Sequence, residues 1–280
     1  MKIEIEPGTN LYIEIELNRL KQNSLIKTKP VLILIHGGPG SDHNSFKPFF
    51  SQLSDIVQII YYDHRGHGRS ENKTNTELTL DILADDIVKL CNVLEIDNPI
   101  ILGQSFGGFV AQKYISMYPA HPQKVILSST SPKFNLDRKL KMFEILGGKE
   151  ARNIAENFWT NPNNQTYRNY KEICKPLYSV KGNNKNSKII SNINENILFK
   201  WTKTEHLTMN LLPGLKLAQC PVLVIAGELD PVCPLNDSQD IVSALPQHLV
   251  HFEQFKNCGH GVWRDNQDKA FKIIRQFILE

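Results

Sequence analysis

Three residue types that can act together as nucleophile, base and orienting acid recur in this chain on short segments with unusual backbone demands. The run Ile100-Ile-Leu-Gly-Gln-Ser-Phe-Gly-Gly108 puts Ser105 between an apolar stretch and a helix-like segment, Phe106 to Tyr118, which Pro119 ends. Gly103 and Gly107 stand two residues to either side of it. Gly-x-Ser-x-Gly after a strand is the pattern of a nucleophile elbow, a turn so tight that flanking side chains would collide with the strand and helix. Such a turn lifts the hydroxyl clear of the sheet. A serine hydroxyl is a poor nucleophile at neutral pH and needs an imidazole base, which in turn needs a carboxylate to orient it.

On a strand–turn–helix scaffold of this kind the partners follow in the order acid, then histidine. The apolar run Val222-Leu-Val-Ile-Ala226 leads into Gly227-Glu-Leu-Asp230, placing Asp230 just past a strand's end. Asn257-Cys-Gly-His-Gly261 follows the strand-like His248 to Phe255, placing His260 on a glycine-flanked loop. Asp230 could also serve as a turn or capping aspartate beside Pro231 and Pro234, with Glu228 as a rival acid. Asp237 and Asp240 read as first-turn or helix-surface residues. The remaining eight histidines read mostly as surface or turn residues. His43, His64 and His67 lack the spacing of a helical zinc motif, and no metal site is expected.

Acyl chemistry also needs N–H donors for the oxyanion, each worth roughly 3–4 kcal/mol of barrier. The continuous apolar run Val31-Leu-Ile-Leu-Ile35 reads as a buried parallel strand and ends in His36-Gly-Gly-Pro-Gly40. The backbone N–H groups of Gly38, on this turn, and of Phe106, after the nucleophile, are the expected oxyanion donors. The same glycines also allow a tight turn, and the two roles are compatible.

His-Gly-Gly-Pro-Gly at 36–40, Asp63-His-Arg-Gly-His-Gly-Arg-Ser70, Gly-Gln-Ser-Phe-Gly-Gly at 103–108, Gly-Glu-Leu-Asp at 227–230 and Cys-Gly-His-Gly at 258–261 occur in this order. Together they resemble the α/β-hydrolase superfamily over nearly the whole chain. The first two motifs are similar to its proline iminopeptidase-like branch. That branch commonly carries Trp or Tyr after the nucleophile and Gly before it, where this chain has Phe106 and Gln104. The resemblance implies that acidic residues of a helical cap hold a substrate's free amino group. Glu156, Glu172, Glu195 and Glu205 are available for that role. Independently of family, Ile56 to Tyr62 reads as a buried strand, and Arg65 and Arg69 are expected to brace the loop after it by bonding its carbonyls or Asp63.

The elements that must position these residues alternate as strand and helix from Val31 to Thr130, implying a parallel, doubly wound sheet. Thr79 to Leu94 carries Ile82, Leu83, Ile87, Leu90 and Leu94 on one helical face. Val125 to Ser129 is the next strand. Met1 to Glu6 is expected to pair with Leu11 to Leu17 as a hairpin through Pro7-Gly8-Thr9-Asn10. The rhythm then stops. Residues 131–215 hold helix-like pieces at Asp137–Leu146, Ala151–Trp159, Asn169–Tyr178 and Asn192–Thr202, with a linker at Lys181–Ser187. The expected organisation is an α/β-hydrolase core of residues 1–130 and 216–280, with a helical cap at 131–215 over the serine. Phe158, Trp159, Tyr167, Tyr170, Tyr178, Phe199 and Trp201 give that cap its aromatic content, which can pack it on the body as well as line a pocket.

With 280 residues the chain suits one such domain with an insertion. Lys plus Arg is 32 against 29 Asp plus Glu, a net of +3, so nothing points to nucleic acid or a membrane surface. No apolar stretch approaches the roughly 18 residues of a membrane span. The N-terminus has no secretory apolar core. The five cysteines, 91, 174, 220, 233 and 258, are scattered and read as reduced thiols of a cytoplasmic protein.

These features predict a cofactor-free serine hydrolase acting on a small ester, amide or peptide substrate, of aminopeptidase or small-ester type. Carboxylester or lactone opening and C–C bond hydrolysis use the same triad and stay open. A receptor that binds without catalysis is the reading from another class; such proteins usually lose a triad member, and here all three are present. The natural substrate and the oligomeric state are left open.

Overall fold

The computed structural model describes residues 1–16, 29–71, 78–181 and 193–280. Eight strands form one sheet: β1 (Lys2–Glu6), β2 (Thr9–Glu16), β3 (Val31–Ile35), β4 (Gln58–Tyr62), β5 (Ile100–Gln104), β6 (Lys124–Ser128), β7 (Val222–Gly227) and β8 (Val250–Phe255). Their spatial order is β1-β2-β4-β3-β5-β6-β7-β8. β1 with β2 and β2 with β4 are antiparallel, and every later pair is parallel. The expected N-terminal hairpin is therefore present, with a tighter turn than its sequence suggests. Gly8, at φ 80°, closes it, and Thr9 and Asn10 already belong to β2. Leu17, the expected end of that strand, lies outside the described residues.

The helices are α1 (Leu80–Val93), α2 (Phe106–Met117), α3 (Leu136–Thr160), α4 (Asn164–Ile173), α5 (Glu195–Lys203), α6 (Glu205–Thr208), α7 (Leu212–Leu215), α8 (Leu235–Ala244), α9 (Val262–Asp265) and α10 (Gln267–Leu279). The central strands read as unbroken apolar runs because both faces are covered. Ile33, Ile35, Ile101, Val125 and Val224 pack on one side with α1, α2 and Ile241 of α8. Leu32, Leu34, Leu102, Ile126 and Ile225 pack on the other with Phe50, Trp263 and the apolar face of α10. This is the layered, doubly wound arrangement of an α/β-hydrolase fold.

Between β6 and β7 the helices α3, α4 and α5 build a third apolar cluster. Phe143, Phe158, Trp159, Tyr167, Tyr170 and Leu198 pack there against Val232 and Cys233, beyond the end of β7. The two helix pieces expected over 137–159 are the halves of α3, broken at Gly148 (φ 70°). The helix expected at Asn169–Tyr178 instead starts earlier. Asn163 and Thr166 form a reciprocal cap that nucleates α4. Pro176 confines Lys175–Tyr178 to a 3₁₀ turn. Asn194 caps α5; Asn192 and most of the Lys181–Ser187 linker lie outside the described residues. No helix of the described residues is long and apolar enough to cross a membrane. All five cysteines are buried and unpaired.

Candidate active site

Ser105 occupies the bend between β5 and α2 at φ 55° and ψ −116°, a conformation that side-chain-bearing residues rarely adopt. Neighbours hold it there. Its N–H donates to Ser128 O (3.0 Å), while its carbonyl accepts from Thr130 Oγ1 (2.9 Å) and from Gly108 N–H (2.9 Å). Gly107 is required by close approach, because a Cβ there would overlap the Ile35 carbonyl at the end of β3. Phe106 is the first residue of α2, so no carbonyl of its own helix can take its N–H. Gly38, in the turn after β3, has φ +131°, and a Cβ there would press on the backbone N of Ser41.

Asp230 and His260 meet beside this bend. Asp230, fully buried, accepts the N–H groups of Val232 and Cys233 on Oδ1 (2.8 Å each) and lies 2.8 Å from His260 Nδ1 through Oδ2. An ionised carboxylate can only accept, so His260 carries its proton on Nδ1 and presents a lone pair at Nε2. The histidine is itself fixed: its N–H donates to Tyr178 O (2.6 Å), Tyr178's ring stands edge-on at 5.3 Å, and Gly261 N–H donates to Ser129 Oγ (3.0 Å). The Nε2 atom faces the Gln104 side-chain amide at 3.4 Å, one residue before the serine. Among the described residues no hydrogen bond joins the Ser105 hydroxyl to His260. The structure thus brings the aspartate and histidine into direct contact and sets the imidazole against the elbow. Glu228 lies elsewhere, accepting the N–H of Asn257 (3.4 Å). Asp237 stands in the first turn of α8 and is buried, held by Ser131 Oγ (2.7 Å) and Arg138 (2.8 Å).

Five of the eight histidines read mostly as surface or turn residues are buried: His36, His43, His64, His67 and His206. Three of them brace the turn that carries Gly38. His36 donates from Nδ1 to Gly37 O (2.7 Å) and accepts the His64 N–H on Nε2 (3.1 Å). His64 donates from Nε2 to His36 O (3.3 Å) and takes the Tyr62 hydroxyl on Nδ1 (3.3 Å). His67 donates from Nδ1 to Arg65 O (2.8 Å), its ring 6.1 Å from that of Phe106. Burial holds His36 down at about 4 and His67 at about 3, and depresses His64 strongly, so all three are neutral. Asp63 anchors the same region. Burial pushes its carboxyl up, but the hydrogen bonds from His43 and Arg69 outweigh this and leave it below the usual carboxylate range. The Arg69 guanidinium lies 3.5 Å from Asp63 Oδ2 through Nε, as the bracing reading expects, and its backbone N–H donates to the same oxygen (2.9 Å). Arg65 instead forks onto Asp86 and reaches Thr9 Oγ1 (3.1 Å).

A circuit of rings links the two ends of the site. Phe106 stands 5.0 Å from Trp201, Trp201 6.4 Å from His206, His206 5.4 Å from Trp159, and Trp159 5.9 Å from Tyr170. Tyr170 and Tyr178 share a hydroxyl hydrogen bond (2.9 Å), and Tyr178 returns to His260. Of the four glutamates available for holding a substrate amine, three are engaged elsewhere. Glu156 pairs with Arg152 (3.3 Å) and Glu195 with Lys171 (3.0 Å), Glu172 is exposed, and both oxygens of Glu205 accept the Leu80 N–H (3.1 Å). Sequence reasoning missed Lys139 and gave Gln104 and Tyr178 no contact with the histidine; the placement of all three depends on contacts between distant segments.

Residues 30–263 match the family model described as the alpha/beta hydrolase fold, and the chain belongs to that family. Within it, the chain falls in the proline iminopeptidase-like branch and is a hydrolase. It is 26% identical over 266 residues to the proline iminopeptidase PfmaB of Pestalotiopsis fici, covering 89% of this chain and 92% of the relative. Among solved structures it is similar to the proline iminopeptidase of Mycobacterium smegmatis, with a TM-score of 0.75 at 17% identity, covering 99% and 97% of the two chains. The esterase EaEST of Exiguobacterium antarcticum matches with a TM-score of 0.70 at 18% identity, covering 100% and 99%.

Proposed function

We propose that the protein hydrolyses an ester or amide bond of a small substrate through an acyl-enzyme on Ser105. His260 Nε2 takes the Ser105 proton as Oγ bonds to the substrate carbonyl carbon. It then returns that proton to the leaving oxygen or nitrogen as the scissile bond breaks. Water repeats the sequence on the acyl-enzyme and releases the acid. Asp230 fixes the Nδ1–H tautomer and stabilises the imidazolium. The Gly38 and Phe106 N–H groups stabilise the oxyanion. Residues 131–215 act as a cap that limits water at the serine, on a core of residues 1–130 and 216–280. The five unpaired thiols fit a reducing, cytoplasmic setting.

The observation that carries this reading is the Asp230–His260 hydrogen bond set beside a serine held at a strained bend. Tightening from the Gln104 contact to the hydroxyl is what substrate binding must achieve, since such bonds are commonly loose without substrate. The named relatives favour an aminopeptidase, whereas the engagement of Glu156, Glu195 and Glu205 elsewhere favours an acyl group without a free amine. Presteady-state hydrolysis of p-nitrophenyl acetate tests the mechanism. The expected result is a nitrophenolate burst stoichiometric with enzyme, and a fall in turnover of about 10⁴-fold in Asp230→Asn. Release without a burst, unaffected by Ser105→Ala, would refute the acyl-enzyme.

A further inference from the structure

Lys139 lies on α3 with 1% of its surface exposed, and among the described residues no carboxylate pairs with it. Its ammonium donates to the Val232 carbonyl, in the loop that follows Asp230, and stands 5.1 Å from the Trp159 ring and 5.9 Å from that of Phe134. Lysine is almost never buried so fully without a partner, because an ammonium removed from water must recover its solvation. One carbonyl and two ring faces leave two of its N–H groups without an anionic acceptor.

The neighbouring polar atoms have the same deficit. Trp159 Nε1 and His206 Nδ1 are buried without a hydrogen-bond partner. Trp159 is 9% exposed and His206 3%. Burial raises the Tyr170 hydroxyl, and the nearby indole N–H acts weakly in the opposite sense without making a well-formed bond with it. An indole N–H can only donate, and a neutral imidazole can place its proton on Nδ1. His206 is kept neutral by burial, with the Lys139 charge acting in the same direction. The three groups adjoin one another: His206 lies 5.4 Å from Trp159 and 4.5 Å from Phe134, the ring that also faces Lys139. Through Trp201 this group connects to Phe106, the residue after the serine.

We infer that this buried cluster of donors, Lys139, Trp159 and His206, binds an anion carried on the acyl chain, so that the substrates are half-esters or half-amides of dicarboxylic acids. The inference rests on the acyl-enzyme reading above. A half-ester and water then give the diacid and an alcohol, with Ser105 holding the acyl carbon and the cluster holding the distal carboxylate. A substrate ammonium would meet a buried cation here. This chemistry is opposite to amine recognition.

The test compares kcat/KM for mono-p-nitrophenyl glutarate, uncharged p-nitrophenyl butyrate and alanyl p-nitroanilide. The glutarate ester should exceed the butyrate ester by at least about tenfold, the alanyl substrate being poorest, since a buried charge-assisted pair discriminates strongly. Lys139→Arg should keep the preference. Lys139→Met should reduce the glutarate/butyrate ratio by about tenfold, and Trp159→Phe, which removes only the N–H, by about threefold. A ratio is insensitive to the fraction of folded enzyme, and Trp159→Phe keeps the test open if Lys139→Met folds poorly. Ser105-dependent turnover with no preference for glutarate, or an unchanged ratio in both variants, would overturn the anion site alone. Turnover absent on all three substrates, or surviving in Ser105→Ala, would overturn the hydrolase reading and the anion site with it.

Discussion

Acidification should unfold this protein through its buried histidines before most of its carboxylates titrate. His36, His64 and His67 are neutral in the fold, with His36 at about 4 and His67 at about 3 against an ordinary 6.5. The unfolded chain binds protons at these sites below pH 6.5 and the folded chain does not. Stability is therefore full above 6.5, is lost as pH falls, and stops being lost to His36 only below about 4. At about 1.4 kcal/mol per pH unit, each of His36 and His67 withdraws roughly 2.7 kcal/mol by pH 4.5, or about 5 kcal/mol together. His64 acts in the same direction. That loss is comparable with the roughly 5–15 kcal/mol total stability of a domain. The chemistry explains why the fold resists protonation: His36 Nε2 already accepts the His64 N–H, and a proton there would set donor against donor. Urea unfolding between pH 7 and 4.5 measures the slope. His67→Gln, which keeps a donor for Arg65 O, should remove one histidine's share, about 1.4 kcal/mol per unit. Stability that stays level from pH 6.5 to 4.5, or a slope unchanged in His67→Gln, would refute the reasoning.

Two further substitutions follow from packing. Gly107→Ala would drive a methyl group into the Ile35 carbonyl, so the elbow must shift; esterase activity should fall by at least about 100-fold, a misplacement penalty read by comparing kcat with the folded fraction from circular dichroism. Arg138→Met would leave Asp237, fully buried, with Ser131 as its remaining side-chain partner, and chemical denaturation should show a loss of about 3 kcal/mol.

What was legible in the sequence was the part dictated by local backbone chemistry. The glycines around Ser105 and His36, and strands apolar on both faces, state their geometry within ten residues. Hence β3, β5, β7 and the elbow fall within a residue or two of expectation. α4 starts before Asn169 because the Asn163–Thr166 cap nucleates it, and it ends before Tyr178 because Pro176 confines Lys175–Tyr178 to a 3₁₀ turn. The buried histidines and Lys139 were not legible. Their neighbours in sequence are loop or amphipathic-helix residues, and their burial arises where 36–38 packs on 62–67 and where α3 meets the loop after β7.

Mass spectrometry of the protein after exposure to a fluorophosphonate addresses the nucleophile most directly. One phosphonyl group should be found on the peptide containing Ser105, formed far more slowly in His260→Ala and not at all in Ser105→Ala. An unmodified Ser105 peptide under conditions that label other serine hydrolases, or labelling indifferent to His260, would contradict the idea that this imidazole activates this hydroxyl.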